Sequence, residues 1–409
     1  MTQNKALEIL KTGKNVFLTG EPGSGKTYTV NLFTQWLKDN FRVFAITAST
    51  GIAATHINGV TIHSWAGIGI KKNLTEGQIE AILEKPFFAK RLKNADVLVI
   101  DEVSMLDAQT LDDVDAVLKA ALKNDLPFGG IQVVFVGDFF QLPPVSRDGS
   151  AHFAFESKAW QEANPTVCYL TEQHRQSDEK FLEILTAMRQ GRITDDHKKT
   201  LLEGANNPNA ESKLFTHNVD VDFINHSELK KIEGMPTEFV MKETGIPFLA
   251  EILKSHCLSP ERLLLKVGAV VMFTRNNFDE GYVNGTLGKV IELDDDEFPV
   301  VETKDGDIIT VKPAEWSIEE HGHVKATIKQ IPLRLAWAIT VHKSQGMSLD
   351  EARVDLSKAF EYGQGYVAIS RVRSLKGLHL EGANEKSFAM HPKVVEKDKE
   401  FRKASEDII

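Results

Sequence analysis

A phosphate-binding loop at residues 20–27 carries the most specific chemical pattern in the sequence. Its spacing is Gly-x-x-x-x-Gly-Lys-Thr, and its glycines let the backbone fold closely around an anion, so that successive N–H groups face it. Lys26 would reach the β- and γ-phosphates of a nucleotide, and the Thr27 hydroxyl would be a ligand of Mg²⁺. An apolar run at 16–18 precedes the loop, and a helix-like segment at 28–37 follows it. The pattern therefore predicts a nucleoside triphosphate site.

A pair of carboxylates follows a second apolar run. Residues 97–100 are Val-Leu-Val-Ile, and Asp101 and Glu102 come directly after them. A continuous apolar run is typical of a strand buried on both faces, and α/β sheets bind ligands at the carboxyl ends of such strands. We expect Asp101 to hold Mg²⁺, directly or through water, and Glu102 to polarise the attacking water. Next to a phosphate loop, this pair indicates hydrolysis rather than binding alone.

Two further strand ends add polar residues. A strand at 131–136 runs into Gly-Asp-Phe-Phe-Gln-Leu-Pro-Pro at 137–144, where Gln141 would hydrogen-bond the γ-phosphate or the lytic water, or would merely cap the turn before the prolines. A strand at 42–47 ends in a small-residue turn at 48–51, which suits anion binding and equally suits an ordinary strand-to-helix connection. The alternation of strands and helices predicts a parallel sheet wrapped in helices.

Length and composition restrict the class of protein. The 409 residues suffice for two or three domains with sizeable cores. No apolar run approaches a membrane span and no signal-peptide pattern is present, so we expect a cytoplasmic location. Cys168 and Cys257 lie far apart and outside any Cys-x-x-Cys pattern, which argues against a zinc or iron–sulfur site. The formal net charge of −10 leaves a nucleic-acid partner open, because binding depends on local patches.

The pattern changes at residues 262–312. There Val, Ile, Met and Phe alternate with polar residues, and turns are expected at 283–285 and 304–306. This period and turn spacing predict a small antiparallel barrel. The strand-and-helix pattern resumes at 333–346, where the polar cluster at 342–345 offers hydrogen-bond donors to phosphates of DNA or nucleotide.

The order of these motifs resembles that of superfamily-one helicases. The matching segments are residues 20–27, 47–54, 61–64, 100–104 and 137–144. Residues 123–132, which contain Asn-Asp-Leu-Pro-Phe-Gly-Gly, resemble in particular the PIF (petite integration frequency) DNA helicases of superfamily 1B, whose signature lies between the Asp-Glu and Gly-Asp motifs. Residues 112–121 lack the arginine-rich character that is usual before this stretch. The RecD-like relatives share the motor motifs and match residues 127–130 less well.

The resemblance implies an α/β fold with two RecA-like P-loop motor domains and a small SH3-like β-barrel inserted in the second. The expected bounds are 1–175 for the first motor domain, with a short wedge subdomain at 56–75, then 176–234 and 326–385 for the second, and 235–325 for the insert. Residues 386–409 match no part of the family and are expected to form a charged C-terminal tail.

The resemblance also assigns roles to single residues. Arg175 and Arg371 correspond to arginines that reach the γ-phosphate, and Gln3 either corresponds to a glutamine that reads the adenine edge or is simply solvated. The catalytic set is Lys26, Glu102, Gln141, Arg175 and Arg371. The nucleotide-binding set is Gln3, Gly20, Gly23, Ser24, Gly25, Lys26, Thr27 and Gly346, with Thr27 and Asp101 on the metal. The DNA-binding set is Thr50, His63, Ser64, Pro144, His342 and Lys343.

The implied activity is that of an ATP-dependent DNA helicase that uses ATP and Mg²⁺, in a bacterial or phage-like cytoplasm. It moves 5′ to 3′ on single-stranded DNA and unwinds 5′-tailed or forked duplexes or structured DNA, such as G-quadruplexes, in replication, recombination, repair or telomere maintenance. The motor is expected to be a monomer, with a DNA-induced dimer left open, and to have no membrane partner.

Two other classes compete with this interpretation. A AAA+ loader would carry sensor arginines within an oligomer, and it would not explain residues 61–64 or 341–346. A non-catalytic binding module would have lost Lys26 or Glu102, and both are present.

Overall fold

Two parallel β-sheets organise the described part of the chain, one in each of two units, and the fold class is α/β. Unit 1 contains Met1–Ile193, Glu361–Tyr366 and Phe388–Ile409, and unit 2 contains Thr194–Phe360 and Val367–Ser387. The computed structural model describes residues 1–57, 59–69, 71–144, 152–173, 178–203, 213–216, 218–275, 277, 279–282, 284–303, 306–320, 323–341, 344–345 and 347–408.

The sheet of unit 1 is built from largely buried strands. They are β1 (Val16–Gly20), β2 (Phe44–Ala48), β3 (Val60–Thr61), β4 (Val97–Asp101), β5 (Gln132–Val136) and β6 (Thr166–Leu170). Their order is β3-β2-β4-β5-β1-β6, and all pairs are parallel. Every residue of β1 and β5 is buried, as expected for strands covered on both faces. The carboxyl ends therefore share one edge, where β5 separates the end of β1 from that of β4.

Helices connect and cover these strands. They are α1 (Gln3–Lys11), α2 (Lys26–Asp39), α3 (Gly51–His56), α4 (Ile62–Ala66), α5 (Glu76–Leu83), α6 (Pro86–Asn94), α7 (Ala108–Leu122), α8 (Lys158–Ala163), α9 (Glu179–Arg189) and, near the C-terminus, α14 (Pro392–Glu406). The start of α7 shows why helices begin where they do, because the Asp107 carboxylate accepts hydrogen bonds from the N–H groups of Gln109 and Thr110. Val16, Leu18, Val30 and Phe33 join β1 and α2 in one apolar core.

The helix α14 packs on β6, although residues 386–409 were expected only to form a charged tail. Phe401 lies 4.9 Å from the ring of Phe17, and the Tyr169 N–H donates to Ser405 Oγ at 3.1 Å. Val394, Phe401 and Ser405 are buried, and most of the charged residues around them are exposed or half-buried. The segment of α14 contains few apolar residues among many charged ones, so its sequence pattern did not predict this packing.

The boundary of unit 1 also differs from the expected end of the first motor domain. The contacts assign α9 to unit 1, whereas residues from 176 onward were expected in the second domain. Arg189 at the end of α9 donates hydrogen bonds to Asp138 and Tyr169, which belong to the first sheet and its loops.

Unit 2 combines parallel and antiparallel sheets. Its parallel sheet has the order β18-β7-β19-β20, from β7 (Lys213–Phe215), β18 (Ala338–Thr340), β19 (Ala352–Leu356) and β20 (Leu378–Ala383). The antiparallel strands are β8 (Thr237–Val240), β9 (Lys242–Gly245), β10 (Arg262–Leu265), β11 (Val270–Phe273), β12 (Leu287–Leu293), β13 (Pro299–Thr303), β14 (Ile308–Thr310), β15 (Ala314–Glu320), β16 (His323–Gln330) and β17 (Leu333–Leu335).

The antiparallel strands form three groups, ordered β10-β8, β14-β13-β12-β11-β17 and β15-β16-β9. The helices of unit 2 are α10 (Asp195–Glu203), α11 (Asn218–Lys231), α12 (Pro247–His256) and α13 (Gln364–Ser370), whose first turn is assigned to unit 1. The classification of these strands as an SH3-like barrel stays a prediction. Across the described residues, helices long and apolar enough to cross a membrane are absent.

We expect Phe401→Ala to destabilise unit 1 strongly. The phenyl ring is 93% buried among aromatic side chains, and removing it would leave a cavity that costs about 3–5 kcal/mol of the free energy of unfolding. For a unit of this size, calorimetry should show Tm falling by roughly 6 °C or more. Phe41→Ala is the matched control, because Phe41 is 95% exposed. Equal Tm values for the two variants would contradict the described packing of α14.

Candidate functional site

The loop at residues 20–27 joins the end of β1 to the start of α2. Gly25 precedes α2 with φ of 87°, a left-handed conformation that favours glycine. A Cβ at Gly25 would also collide with the side-chain amide of Gln3, so this position has no room for a larger residue. The loop backbone therefore reaches the N-terminus of a fourteen-residue helix, where the helix dipole and exposed N–H groups favour an anion.

Side chains of the loop add charge and hydrogen-bonding capacity to this backbone. The Lys26 ammonium donates to the carbonyl oxygens of Gly20 at 2.7 Å and Glu21 at 3.1 Å, so its charge lies within the loop. Ser24 Oγ is fully buried and has no hydrogen-bond partner among the described residues. A buried hydroxyl without a partner is unusual in a folded protein, and a phosphate oxygen would supply one.

Gln3 lies against the same loop. Its side-chain amide donates to the Ser24 carbonyl oxygen at 3.2 Å, and its backbone N–H donates to the Glu172 carboxylate at 2.7 Å. These contacts place the start of α1 beside the phosphate loop. The expected contact of Gln3 with a base stays a prediction.

Asp101 ends β4 at the same edge of the sheet. Its carboxylate accepts a hydrogen bond from the Glu102 N–H at 2.8 Å. Burial raises the pKa of Asp101 to about 6, although that hydrogen bond and the positive charge of Lys26 act in the opposite direction. A bound cation would favour the ionised carboxylate.

Glu102 adopts a backbone conformation that non-glycine residues rarely use. Its φ of 51° lies in the left-handed region, where residues other than glycine are strained. Ser49 Oγ donates to the Glu102 carbonyl oxygen at 2.7 Å and helps to hold this turn. Strain directly after a buried strand end is a common feature of functional sites, and it fixes the direction in which the Glu102 side chain leaves the sheet.

The donor set fits Mg²⁺. Asp101 offers carboxylate oxygens, and Thr27 offers an exposed hydroxyl at the first turn of α2. Mg²⁺ prefers hard oxygen ligands and is usually held by one or two carboxylates together with nucleotide phosphates and water. Within the described ranges, groups of three or more His, Cys, Asp or Glu that could form a metal cage are absent. The arrangement thus suits an ion that arrives with a nucleotide.

The loop at residues 137–144 follows β5, between the two sites just described. Asp138 is fully buried, and its carboxylate accepts a hydrogen bond from the Phe140 N–H while its carbonyl accepts one from the Gln141 N–H. Gln141 and Pro144 are both buried. These bonds make the loop a compact turn with its own internal support.

An arginine that the motif analysis did not single out lies beneath this loop. Arg189 is 1% exposed and donates to Asp138 at 2.7 Å. At the end of an amphipathic helix, an arginine usually caps solvent-exposed carbonyl groups, so the sequence held no clear signal. The one available clue was its place directly after Met188 on the apolar side of α9.

Three candidate DNA-binding residues follow the neighbouring strands β2 and β3. Thr50 Oγ1 accepts a hydrogen bond from the Ala53 N–H in the first turn of α3. Ser64 belongs to α4, where its N–H and Oγ both bond to Thr61 Oγ1. His63 is half-buried, and burial together with nearby Lys72 lowers its pKa below the usual 6.5. Thr50, His63 and Ser64 thus lie on adjacent strand-to-helix turns.

The remaining predicted residues lie in other places. Arg371 belongs to unit 2 and is buried, and its guanidinium donates to the Val367 carbonyl and to Ser370 Oγ, each at 3.0 Å. The predicted residues outside the described part of the chain are Arg175, His342, Lys343 and Gly346.

The lowered pKa of His63 predicts a dependence of stability on pH. The folded state resists protonation, whereas the unfolded chain binds a proton near pH 6.5, so His63 favours folding above that pH and the benefit is lost as pH falls. We expect the Tm of the wild type, relative to His63→Gln, to decrease from pH 7.5 to pH 5. A difference in Tm that does not change with pH would contradict the lowered pKa of His63 in the folded state.

Comparisons with known proteins give relatives along nearly the whole chain. Residues 3–199 match the model of the PIF1-like helicase family, and residues 248–293 match that of the DNA helicase Pif1 2B domain. The ATP-dependent DNA helicase Pif1 of Psychrobacter sp. is 42% identical, over 99% of this chain and 71% of that protein. The protein of that name from Bdellovibrio bacteriovorus is 36% identical, over 98% of this chain and 91% of that protein.

Solved structures agree with this assignment. The Pif1 helicase from Candida albicans has a TM-score of 0.79 at 36% identity, covering 97% of this chain and 98% of that chain. Bacteroides sp. Pif1 in complex with ADP-AlF4 has a TM-score of 0.82 at 29% identity, covering 98% of this chain and 96% of that chain. The chain spans 63% of the related Xenopus laevis protein, so some relatives carry additional sequence. The chain therefore belongs to the PIF1-like helicase family.

Proposed function

We propose that this chain is an ATP-dependent DNA helicase that moves 5′ to 3′ on single-stranded DNA and unwinds duplex or structured DNA. The observation that carries the proposal is the half-buried Asp101 carboxylate, followed by the strained Glu102, at the same sheet edge as the phosphate loop and Lys26. A site for binding alone would need Asp101 for Mg²⁺, but it would not need the second carboxylate of Glu102 beside it. Family membership supports the same activity.

The nucleotide chemistry divides among the residues of unit 1. Lys26 and the N-terminus of α2 would bind the phosphates, with Gly20, Gly23, Ser24 and Gly25 shaping the loop and Gln3 reading the base. Thr27 and Asp101 would hold Mg²⁺, which neutralises charge that develops on the phosphates. Glu102 would orient and polarise the attacking water, and Gln141 would contact that water or the γ-phosphate.

Two arginines complete the proposed catalytic set. Arg175 and Arg371 would stabilise charge on the transferred phosphoryl group, a contribution of about 10³–10⁵-fold in turnover in comparable enzymes. Gly346 would contact the nucleotide. These three assignments rest on the family motifs alone.

The proposed DNA contacts are Thr50, His63, Ser64 and Pro144, together with His342 and Lys343. A neutral His63 would act as a hydrogen-bonding or stacking group rather than as a fixed charge, which suits binding without sequence readout. Bacteroides Pif1 is known bound to single-stranded DNA, and another related structure describes the unwinding of forked duplex DNA by two coordinating Pif1 helicases. For this chain we propose the same classes of DNA, with a monomeric motor and a DNA-induced dimer.

The finer architecture belongs to the same proposal. Both parallel sheets would belong to RecA-like motor domains, the first of which extends beyond residue 175 to include α9. The antiparallel strands from β8 to β17 would include the SH3-like subdomain. The segment 56–75, which contains α4, would be the wedge that splits the duplex. G-quadruplex substrates, a role in replication, recombination, repair or telomere maintenance and a cytoplasmic location stay predictions.

The test is ATP hydrolysis with and without single-stranded DNA, together with unwinding of duplexes that carry either a 5′ or a 3′ tail. We expect strong stimulation and unwinding from the 5′ tail alone. Lys26→Ala should abolish both signals, and Glu102→Gln should lower kcat by about 10²–10⁴-fold, because the water loses its polarising base. Lys38→Ala is the matched control, since Lys38 is an exposed residue in the last turn of the same helix α2.

Each alternative result has a distinct meaning. Hydrolysis that ignores DNA would reject the helicase and return the chain to the other P-loop ATPase classes. Unwinding from the 3′ tail would retain the motor and reject the proposed polarity.

Gln3→Ala tests the proposed contact with adenine. We expect the ratio of KM values for GTP and ATP to fall by roughly tenfold, because one or two hydrogen bonds to the base would be lost. Loss of the Gln3–Ser24 hydrogen bond alone would weaken both nucleotides equally and leave the ratio unchanged. Gln35→Ala, an exposed position on α2, is the control.

A further inference from the structure

Arg189 lies at the centre of a buried polar cluster in unit 1. Its guanidinium donates to Asp138 at 2.7 Å, to the Tyr366 hydroxyl at 3.0 Å and to the Tyr169 hydroxyl at 2.7 Å. It also lies over the ring of Phe140, 4.2 Å from the ring centroid. Asp138, Tyr169, Tyr366 and Arg189 are each at most 3% exposed, so bulk solvent does not screen these contacts.

The cluster extends to the phosphate loop. Arg189 Nε lies 3.8 Å from the carboxylate of Glu21, the second residue of that loop. Gln173 donates to the same carboxylate at 3.2 Å, and Arg402 of α14 lies 3.8 Å from it. Arg189 therefore stands between Glu21 on one side and Asp138 on the other. These residues follow β1 and β5, which are adjacent strands.

The loop at residues 137–144 is held from a second direction by the segment 361–366. The backbone of Gly363, at φ of 74°, packs so closely on the carbonyl groups of Phe140 and Gln141 that a Cβ would collide with both. Tyr366, three residues later, is a hydrogen-bond acceptor for Arg189. The loop that carries Gln141 and Pro144 is thus enclosed by Arg189 and by the segment that Arg189 itself anchors.

Stability alone is a weak explanation for this arrangement. Taking an arginine and an aspartate out of water costs free energy that their attraction only partly repays, and apolar replacements of buried ion pairs are often neutral or stabilising. The planar guanidinium provides a fixed geometry instead. Its N–H groups point in set directions, so it can hold several hydrogen-bond acceptors at defined angles. Here the partners include Asp138, in the loop after β5, and Glu21, in the loop after the adjacent strand β1.

We propose that Arg189 is a positioning residue for DNA-stimulated ATP hydrolysis, which holds the loop at 137–144 in a fixed place relative to the phosphate loop. The inference rests on the proposed function, since it assigns Gln141 to the nucleotide and Pro144 to DNA. Through Asp138, Arg189 keeps both residues of one loop in register with Glu21, so that a DNA contact at one end of the loop is transmitted to the nucleotide at the other.

The first variant is Arg189→Met, which leaves Asp138 buried and unpaired. We expect a lower Tm and a DNA-stimulated kcat reduced by about 10²-fold, the loss that a displacement of about 1 Å can cause in a catalytic site. Because unfolding alone would also remove activity from Arg189→Met, the decisive variant is the double substitution Arg189→Met with Asp138→Asn. It removes both charges and keeps an oxygen that can accept from the Phe140 N–H.

We expect the double variant to recover Tm while its DNA-stimulated kcat stays about 10²-fold below that of the wild type, with little change in KM for ATP. Tyr366→Phe removes one hydroxyl and keeps the ring. It should lower stimulated kcat by roughly tenfold, and it should lower Tm by only a few degrees, because one buried guanidinium N–H loses its partner. The matched control is Arg192→Met, since Arg192 is an exposed arginine three residues after Arg189. It should match the wild type in Tm, basal kcat and stimulated kcat.

Recovery of both Tm and stimulated kcat in the double variant would overturn the inference, because Arg189 would then serve only to neutralise Asp138. Unchanged stimulated kcat in Tyr366→Phe would also overturn it. Failure of the proposed function would look different, since the wild type itself would then lack stimulation by DNA.

Discussion

The parallel hydrogen bonding of β4, β5 and β1 is the constraint on which the site depends. Parallel strands end at one edge of a sheet, and with one strand between them the ends of β1 and β4 lie about 10 Å apart. That spacing brings the phosphate loop and the carboxylate pair to the same edge of the sheet, with the loop after β5 between them. A strand order with more strands between β1 and β4 would separate Lys26 from Asp101 whatever the residues.

Burial then gives these groups their chemical character. Asp101 has a raised pKa because it is taken out of water, and Lys26 offsets only part of that effect. Glu102 has a strained backbone that Ser49 helps to hold. Both features cost stability in the protein alone, and a bound cation would offset the first of them by stabilising the ionised Asp101 carboxylate. The first sheet thus places Asp101, with its raised pKa, and Glu102, with its strained backbone, at the edge where a nucleotide and its cation would bind.

Much of this arrangement follows from the sequence, because motifs with a fixed position relative to a strand leave little freedom. The runs before Gly20, Asp101 and Gly137 predicted three buried strands with functional residues at their ends, and the resemblance to PIF helicases is confirmed by the relatives. Arg189 and α14 were missed for a physical reason. A charged residue becomes buried only when distant segments supply its partners, and local periodicity contains no information about such partners.

The packing of α14 has a consequence for how the chain folds. Unit 1 takes its sheet from the first part of the chain and its last helix from residues 392–406, with most of unit 2 encoded between them. Until α14 has been synthesised, the edge strand β6 keeps an uncovered backbone N–H at Tyr169 and an open aromatic surface around Phe17. Exposed edges and apolar surfaces of this kind invite aggregation. During synthesis on the ribosome, unit 1 therefore stays incompletely packed while about two hundred residues of unit 2 emerge. In that interval it exposes the kind of apolar surface that chaperones bind.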